Sequence, residues 1–231
     1  MNSVDFLVKR DDLTQTRLVD TAALTPGEGE AIIRVYRFAL TANNITYGVA
    51  GDMIGYWNFF PAPVGFGRIP VWGMGTVTSS QHPELRVGTR IYGYLPMSSE
   101  LKVKPERVNI RGFVDASAHR AALPAVYNQY SVVSAANGFD PARDSEAMVY
   151  RPLFTTSFVL DDYLEDNGFF GAGTVIIGSA SSKTGFGLAF MLKRRGGVRV
   201  TGLTSAANCG FVAGTGLYDH IVAYEDAQSL P

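Results

Sequence analysis

The sequence predicts an α/β protein in two parts, a β-rich N-terminal part and a C-terminal part in which strands and helices alternate. Short strand-like segments follow one another closely in the first hundred residues or so. From residue 173 the pattern changes to alternating strand and helix, which is typical of a parallel sheet. The chain has 231 residues, 46% hydrophobic and 18% charged, enough for two modest domains with cores. We therefore predict domains over residues 1–140 and 141–231.

The N-terminal part has three clear strand signals. Residues 30–40, EAIIRVYRFAL, alternate apolar and polar side chains in their first half, as a half-buried strand does. Residues 71–80 (VWGMGTVTSS) and 88–97 (GTRIYGYLPM) are also strand-like, and this spacing predicts a small barrel or sandwich. Residues 41–70, between the first two of these strands, are rich in aromatics, prolines and glycines. We therefore predict a long irregular loop there, and loops of this kind are usually functional.

The C-terminal part begins with a predicted helix over residues 151–168. Pro152 suits the first helical position, and Asn167-Gly168 supplies a left-handed stop. The segments TVIIG, FGLAFMLKRR, VRVTGL, a short helix over 206–217 and HIVAY follow in alternation, which predicts parallel strands connected by helices.

Composition excludes several classes of function. The net charge of −1 gives no basic field for nucleic acid or an anionic membrane. The first twelve residues lack a signal-type apolar core, and no apolar run approaches the ~18 residues of a membrane span. The single cysteine, Cys209, predicts a reducing cytoplasm and is read as a packed residue rather than a nucleophile. With His82, His119 and His220 scattered, the sequence predicts no zinc site and a metal-independent protein.

The turn from Gly178 to Gly187 lies where a strand meets a helix, so helix N-terminal amides and the helix dipole can bind a phosphate there. Gly185 and Gly187 permit close approach of the backbone. The turn matches neither G-x-x-x-x-G-K-[ST] nor a strict G-x-G-x-x-G. A plain turn with a solvated lysine is the alternative. The groups able to bond phosphate oxygens are Ser181, Ser182, Lys183 and Thr184.

Residues 180–189, ASSKTGFGLA, resemble the A-S-G-G-V-G-L-A loop of the zinc-independent medium-chain dehydrogenase/reductases, such as quinone and enoyl reductases. They differ by two inserted residues and by Thr184 in place of a glycine. EAIIRVYRFALTANNITYGVAGDMIGYWNFFPA resembles the family's early barrel segment, VGTRIYGYLP its G-D-R-V-[YF]-G strand, and PLFTTSF the helix before its nucleotide domain. Because these segments occur in the family's order, the sequence is identified as a divergent member. The resemblance implies a GroES-like β-barrel followed by a Rossmann-type doubly wound domain.

The Rossmann-type domain is expected to be incomplete in this chain. A doubly wound nucleotide domain has about six strands, whereas three strand candidates follow residue 172. We therefore expect the chain to be the first part of a longer protein. The resemblance implies an NADPH-dependent reductase acting on a quinone-like or α,β-unsaturated carbonyl substrate, with homodimers common in the family. The alternative is a catalytically silent relative that uses the scaffold for binding or assembly.

The resemblance also assigns site residues. Tyr47 and Tyr56 resemble the two tyrosines beside the nicotinamide region, and Tyr56 takes the place of the proton donor of the enoyl reductases. A phenol suits this role because it can donate to a developing enolate. The alternative is that Tyr56 belongs to an ordinary packed aromatic cluster. The candidate cofactor-binding residues are Asn44, Thr156, Gly178, Ser179, Ala180, Ser181, Ser182, Lys183, Thr184, Gly185, Gly187, Thr204 and Ser205.

The residues that follow the predicted strand VRVTGL, the second strand of the C-terminal part, predict which dinucleotide is bound. NAD enzymes place an Asp or Glu about 20 residues past the loop to hold the ribose hydroxyls. Here Thr204 and Ser205 stand at that place, and the next acid is Asp219. Hydroxyls accept a 2′-phosphate that a carboxylate would repel, so the sequence predicts NADP(H).

Overall fold

The computed structural model describes residues 3–230, in two compact units, Met1–Val149 and Tyr150–Pro231. The division falls within one long helix. The strands of the first unit are β1 (Ser3–Lys9), β2 (Asp12–Thr21), β3 (Ala31–Ala39), β4 (Phe66–Gly67), β5 (Pro70–Ser80), β6 (Arg90–Pro96), β7 (Glu100–Val103), β8 (Pro105–Glu106), β9 (Gly112–Asp115) and β10 (Gln129–Val132).

The first unit is a nearly closed antiparallel barrel. One sheet has the order β7-β3-β5-β6-β10-β9-β8, and a smaller one has the order β2-β1-β4. Backbone bonds connect β1 to the segment after β6, from Phe6 N to Met97 O (2.9 Å) and from Ser99 N to Val4 O (2.8 Å). The predicted strands at 30–40, 71–80 and 88–97 are confirmed as β3, β5 and β6. The residues that fill the barrel include Ala31, Ile33, Val71, Val77, Ile91, Leu95, Val103, Phe113 and Tyr130.

The segment 41–70 differs from its prediction as an irregular loop. It contains the helices α1 (Ala42–Val49) and α2 (Gly51–Ile54), a 3₁₀ turn over Tyr56–Phe59, and β4. α1 is built mainly from weak helix formers, so its sequence carries little helical signal. Its first turn is held instead by the side chain of Asn44, whose Oδ1 accepts from the amide of Thr41 at 2.6 Å.

The second unit has a parallel sheet of order β11-β12-β13, and its elements confirm the alternation predicted from residue 173. Its core includes Ile177, Ala189, Leu192, Val200 and Val212. The elements are α3 (Asp144–Asp166), which begins in the first unit, then β11 (Thr174–Ile177), α4 (Lys183–Arg195), β12 (Arg199–Thr204), α5 (Cys209–Gly214) and β13 (His220–Ala223).

Two helix predictions need correction. α3 begins at Asp144, so Pro152 lies inside the helix rather than at its first position. A short 3₁₀ turn over Pro141–Arg143 leads into α3, and Asp140 caps that turn by accepting from Ala142 N at 2.9 Å. The helix predicted over 206–217 is a 3₁₀ turn followed by α5, which ends at Gly214.

Across residues 3–230, no helix combines the length and the apolar character needed to cross a membrane.

Candidate functional site

The turn between β11 and α4 has a shape fixed by hydrogen bonds. Ser182 N donates to Ser179 O at 2.7 Å, and Ala180 N donates to Leu203 O at 3.1 Å, which ties the turn to β12. Tyr218 Oη donates to Ala180 O at 2.9 Å. Ser179 has a φ of 49°, a left-handed conformation that a non-glycine residue adopts at a cost. The turn is therefore a defined structure rather than a loose connection.

The start of α4 presents backbone donors. Ser182 is the N-cap, and its Oγ accepts from Gly185 N at 3.1 Å. The amides of Lys183 and Thr184 have no carbonyl one turn earlier within the helix to which they can donate. The side chain of Lys183 is exposed beside them. These groups, with the positive end of the helix dipole, suit an anion.

The two glycines of the turn are required by close packing. A Cβ on Gly185 would lie 2.8 Å from Ser179 O, and one on Gly187 would lie 2.6 Å from Ser157 Oγ. Both distances are below those that real Cβ atoms show. A side chain at either position would therefore force the neighbouring backbone or the neighbouring helix to move. The predicted importance of Gly185 and Gly187 thus has a structural basis.

Ser157 of α3 contacts the start of α4, and the sequence reasoning missed it. It is fully buried, and its Oγ donates to Thr184 O at 2.8 Å. Thr156, a predicted cofactor contact, is exposed, and the preceding Thr155 donates to the carbonyl of Arg151. A cofactor contact by Thr156 stays a prediction. In the sequence, Ser157 is marked only by its small size. That size becomes meaningful once α3 and α4 are paired, because Ser157 then lies opposite Gly187.

The hydroxyls at the end of β12 differ in their surroundings. Thr204 is buried, and its Oγ1 donates to Ser181 Oγ at 3.4 Å. Asn208 Nδ2 also donates to Ser181 Oγ, at 3.2 Å. Ser205, the next residue, is only half-buried. Of the two predicted contacts with a 2′-phosphate, Ser205 is therefore the more accessible, while Thr204 and Ser181 shape the turn.

Asp219 lies at the other end of the parallel sheet. Lys193 Nζ donates to its Oδ1 at 2.8 Å, and Val200 N, near the start of β12, donates to its Oδ2 at 2.8 Å. These two hydrogen bonds hold the pKa of Asp219 below its usual value. Since the turn before α4 lies at the carboxyl ends of the strands, Asp219 is placed away from it.

Tyr224 is a second residue that the sequence reasoning missed. It follows β13, and its phenol oxygen accepts from Ser179 N at 3.0 Å. The carboxyl ends of parallel strands meet at one edge of a sheet, so the position of Tyr224 directly after the strand HIVA was the available signal.

In the first unit, the rings of Tyr47 and Tyr56 lie next to each other, and their roles stay predictions. Their ring centroids are 4.7 Å apart. Tyr94 on β6 and Tyr127 on a 3₁₀ turn over Ala125–Asn128 join them, with centroid distances of 4.5 Å between Tyr94 and Tyr127 and 6.0 Å between Tyr56 and Tyr127. We call these four residues the tyrosine cluster.

Burial sets the electrostatics of the tyrosine cluster. It raises the pKa of Tyr47, of Tyr94 and of Tyr127. For Tyr127 the neighbouring Tyr56 raises the pKa further, whereas Trp72 acts in the opposite direction on the pKa of Tyr47. Three phenols of the cluster are therefore neutral over the physiological pH range.

The neighbour of Tyr56 anchors this segment. Trp57 is 1% exposed, and Gly51 and Gly67 face its ring. A Cβ on either glycine would lie 2.2–2.3 Å from a Trp57 ring atom. Gly55 starts the turn with a φ of 84°, a conformation that suits glycine. The position of Tyr56 is thus fixed by the burial of the side chain next to it.

A buried ion pair supports the part of the tyrosine cluster that contains Tyr94. Arg120 Nε lies 3.3 Å from Asp115 Oδ2, and both side chains are fully buried. Arg120 Nη1 donates to Tyr130 Oη at 3.1 Å, and Tyr130 Oη donates to Tyr94 O at 2.7 Å. Burial raises the pKa of Tyr130 to about 12. These bonds fix the backbone that carries Tyr94.

Asn44 lies at the start of α1 with its amide engaged in the fold. It is buried, and its Nδ2 donates to Pro70 O at 2.8 Å while its Oδ1 accepts from Thr41 N. Any contact between Asn44 and a cofactor stays a prediction.

The part of the chain that the structure describes has no group of three or more His, Cys, Asp or Glu side chains able to hold a metal ion. Cys209 is half-buried, with its Sγ 3.6 Å from Ser205 O. Metal independence stays a prediction that chelation can test.

An antiparallel barrel followed by a parallel sheet with a glycine-bearing turn at its first strand is the fold of the medium-chain dehydrogenase/reductases. Solved structures match the chain throughout and confirm the predicted GroES-like and Rossmann-type fold class. The chain belongs to the family described as "Protein of unknown function (DUF2855)", whose model matches residues 38–231. A search of curated proteins gives no match.

Three similar solved structures illustrate the fold. The human synaptic vesicle membrane protein VAT-1 homolog-like protein is 16% identical with a TM-score of 0.60, and 99% of this chain aligns with 63% of that one. The quinone oxidoreductase from Thermus thermophilus, solved also with NADPH, is 16% identical with a TM-score of 0.57, and 98% of this chain aligns with 61% of it. TarJ from S. aureus, in complex with NADPH, is 11% identical with a TM-score of 0.60, and 100% of this chain aligns with 61% of it.

The chain thus spans about three fifths of the length of these structures. At these identities the likeness is one of fold.

Proposed function

We propose that the protein is an NADP-dependent, metal-independent oxidoreductase of the cytoplasm that reduces a quinone-like or α,β-unsaturated carbonyl substrate. The observation that carries this proposal is the turn between β11 and α4. This turn presents unpaired backbone amides at the N-terminus of α4, and the neighbouring strand β12 ends without a carboxylate. A homodimer, common in the resembling family, is part of the same proposal.

The residues of the turn fit a dinucleotide pyrophosphate. The amides of Lys183 and Thr184 point along the start of α4, and the absence of side chains at Gly185 and Gly187 keeps the helix close to its neighbours. The Lys183 ammonium adds a charge that can reach phosphate oxygens. Gly178 and Ser179 are exposed at the turn, so a ligand can approach the backbone there.

The end of β12 favours NADPH over NADH. Ser205 offers a hydroxyl, and Asp219 is held at the opposite end of the sheet by Lys193 and Val200. No carboxylate is thus supplied by β12 at the place where NAD enzymes hold the ribose. These features support a site that tolerates a 2′-phosphate.

The tyrosine cluster supplies the proton for the reduction. NADPH supplies the hydride when it is bound. Tyr56 is half-buried, next to the fixed Trp57, so its hydroxyl has a constant position from which to donate to the oxygen of a reduced carbonyl. Tyr47, 4.7 Å away between ring centroids, lies beside it and is the second candidate for the same role.

A binding protein without catalysis is the second candidate, and one observation favours it. Tyr224 occupies the amide of Ser179, and Asn208 and Thr204 engage Ser181, so several polar groups of the turn already have partners. A scaffold of this kind could serve assembly instead of chemistry.

A cofactor titration tests the proposal. Purified, tag-free chain, alone and extended by any residues that follow it in the native protein, is titrated into NADPH and into NADH while the nicotinamide emission is recorded. We expect NADPH to bind more tightly than NADH. Equal or tighter binding of NADH would contradict the 2′-phosphate assignment, and no binding of either by the extended protein would favour the non-catalytic alternative.

A further inference from the structure

The first unit has a cavity of about 500 Å³ whose wall is formed by both of its sheets, and none of the four residues of the tyrosine cluster lines it. Sites for small molecules have volumes of about 300–1,000 Å³, so the cavity has the size of such a site. Most of the wall is apolar and comes from β1, β2, β3 and the connection between β6 and β7. The apolar lining residues are Val4, Phe6, Leu18, Val35, Phe38 and Met97.

The course of β3 explains why the cavity is there. Tyr36 is the extra residue of a β-bulge in the pairing of β3 with β5. On its other side, the start of β3 pairs with β7, and Val35 N then donates to Ser99 O at 2.9 Å. The connection over residues 97–99 bonds to β1 instead. The end of β3 and this connection therefore separate, and residues 36–38 line the gap between them.

Two of the polar side chains that line the cavity have partners in the fold. Ser99 Oγ accepts from Val4 N at 2.8 Å and shares a hydrogen bond with Ser3 Oγ at 2.9 Å. Tyr36 Oη accepts from Arg90 Nη2 at 2.8 Å. These groups are therefore satisfied by the protein itself and support the wall.

The other two polar side chains, Arg37 and Ser98, have no such partners. Ser98 is 8% exposed, and its Oγ makes no hydrogen bond within residues 3–230. A buried hydroxyl without a partner is unfavourable, so a ligand that pairs with it is favoured. Arg37 is exposed, forms no ion pair with the described residues, and is the one charged residue among those that line the cavity there. Because Ser98 also lines a smaller cavity of about 240 Å³, the charge of Arg37 is the more specific indicator of the ligand.

We propose that this cavity binds a small apolar carboxylate, whose hydrocarbon or aromatic body packs against the apolar wall and whose carboxylate pairs with the Arg37 guanidinium. A guanidinium suits this ligand because its planar fork donates two parallel hydrogen bonds to a carboxylate. The Ser98 hydroxyl is a second donor in the same wall. The described lining residues include no Asp or Glu, so the wall does not repel an anion. The inference is independent of the proposed oxidoreductase activity, because the cavity shares no residue with the tyrosine cluster or the turn before α4.

The first test compares octanoate with 1-octanol, a neutral molecule of the same chain length. Both are titrated calorimetrically into the purified chain, alone and extended by any residues that follow it in the native protein. We expect saturable binding of octanoate, about tenfold tighter than that of octanol. Arg37→Gln should weaken octanoate binding about tenfold and leave octanol binding unchanged, because only the carboxylate uses the charge. Arg86→Gln removes the same charge from an exposed site outside the cavity and should change neither affinity.

The second test locates the ligand. In protein labelled with ¹³C at the methionine methyl groups, octanoate should shift the resonance of Met97, assigned from Met97→Leu. The resonance of Met53, which is 84% exposed and outside the cavity, should stay in place. Leu18 is 75% exposed in the wall, so Leu18→Glu adds a repelling carboxylate there with little loss of packing. Leu18→Glu should weaken octanoate binding about tenfold with an unchanged melting temperature, which keeps the proposal testable if Arg37→Gln fails to fold.

Three results would overturn the proposal: no saturable binding of octanoate, equal octanoate affinity in the wild type and both folded variants, or a Met97 resonance that octanoate does not move. Binding by the chain alone that the extended protein has lost would overturn it as well, because the protein itself would then fill the cavity.

Discussion

The tyrosine cluster of the first unit and the turn before α4 in the second are built in opposite ways. The segment around Tyr56 is fixed by buried side chains, with Trp57 enclosed against two glycines and four tyrosines packed ring to ring. The turn before α4 is fixed by backbone bonds and leaves Lys183 exposed. Substitutions that remove a ring from the first region should therefore change stability and function together, whereas those in the second should change binding with the fold intact.

The largest effect is expected at Tyr56, where chemistry and packing can be separated. Tyr56→Phe keeps the ring and removes the hydroxyl, and general acid catalysis contributes a factor of about 10²–10⁴. In an active form of the protein, kcat should fall by that factor while NADPH affinity stays nearly constant. Steady-state kinetics measure this, with Tyr163→Phe, an exposed tyrosine outside the cluster, as the control.

If Tyr56→Phe is fully active while Tyr56→Ala fails to fold, Tyr56 is a core residue, and Tyr47→Phe becomes the next variant to test.

Trp57→Ala tests whether burial positions the first region. Removing a fully buried tryptophan should lower the free energy of unfolding by about 3–5 kcal/mol, because a cavity is left between Gly51 and Gly67. Urea denaturation followed by circular dichroism measures it. Phe211→Ala, at a site 61% exposed, should change stability by only about 0.5 kcal/mol. Similar losses in both variants would remove the contrast between the regions.

Lys183→Ala tests the second region. A charge-assisted bond to phosphate is worth about 1.5–3 kcal/mol, so NADPH binding should weaken by roughly one to two decades while the melting temperature of the apo protein stays unchanged. Arg194→Ala removes the same charge from the exposed far end of α4 and should leave binding unaltered. Equal affinity in wild type and Lys183→Ala would mean that the lysine is merely solvated.

Metal removal is expected to have no effect, the smallest of the predicted changes. Prolonged dialysis against a chelator should alter neither the melting temperature nor any activity, since neither region gathers a set of metal ligands within the described residues. Stoichiometric zinc in tag-free protein, measured by elemental analysis, would contradict this expectation.

Local patterns predicted the regular elements of both units, and long-range packing decided what they missed. The alternation in β3 and the strand–helix order from residue 173 gave the fold class, because each pattern is complete within about ten residues. The helices over 42–54 escaped notice because a side-chain cap at Asn44, not helical propensity, holds the first of them. α3 was predicted too short because Pro152 suggested a helix start.

For the site, sequence reasoning predicted residues that lie close together in the chain. It missed residues that are distant in the chain and contact the site only in the folded structure. Tyr47 and Tyr56 share one segment, and the residues of the turn are consecutive. Tyr127 and Tyr224 join their partners from about 70 and about 45 positions away, and Ser157 contacts α4 across a helix pair. No local pattern encodes such pairings, since they depend on which faces of the elements meet.

The two tryptophans of the chain, Trp57 and Trp72, both lie in the first unit. Trp57 is buried beside Val8 and Ile69, and Trp72 stacks among the tyrosines, 5.6 Å from Tyr92 between ring centroids. Indole emission from this protein is therefore a reporter of one unit alone. The far-ultraviolet signal, in contrast, arises from the helices and strands of both units, so a transition seen there without a matching change in indole emission would indicate that the units unfold separately.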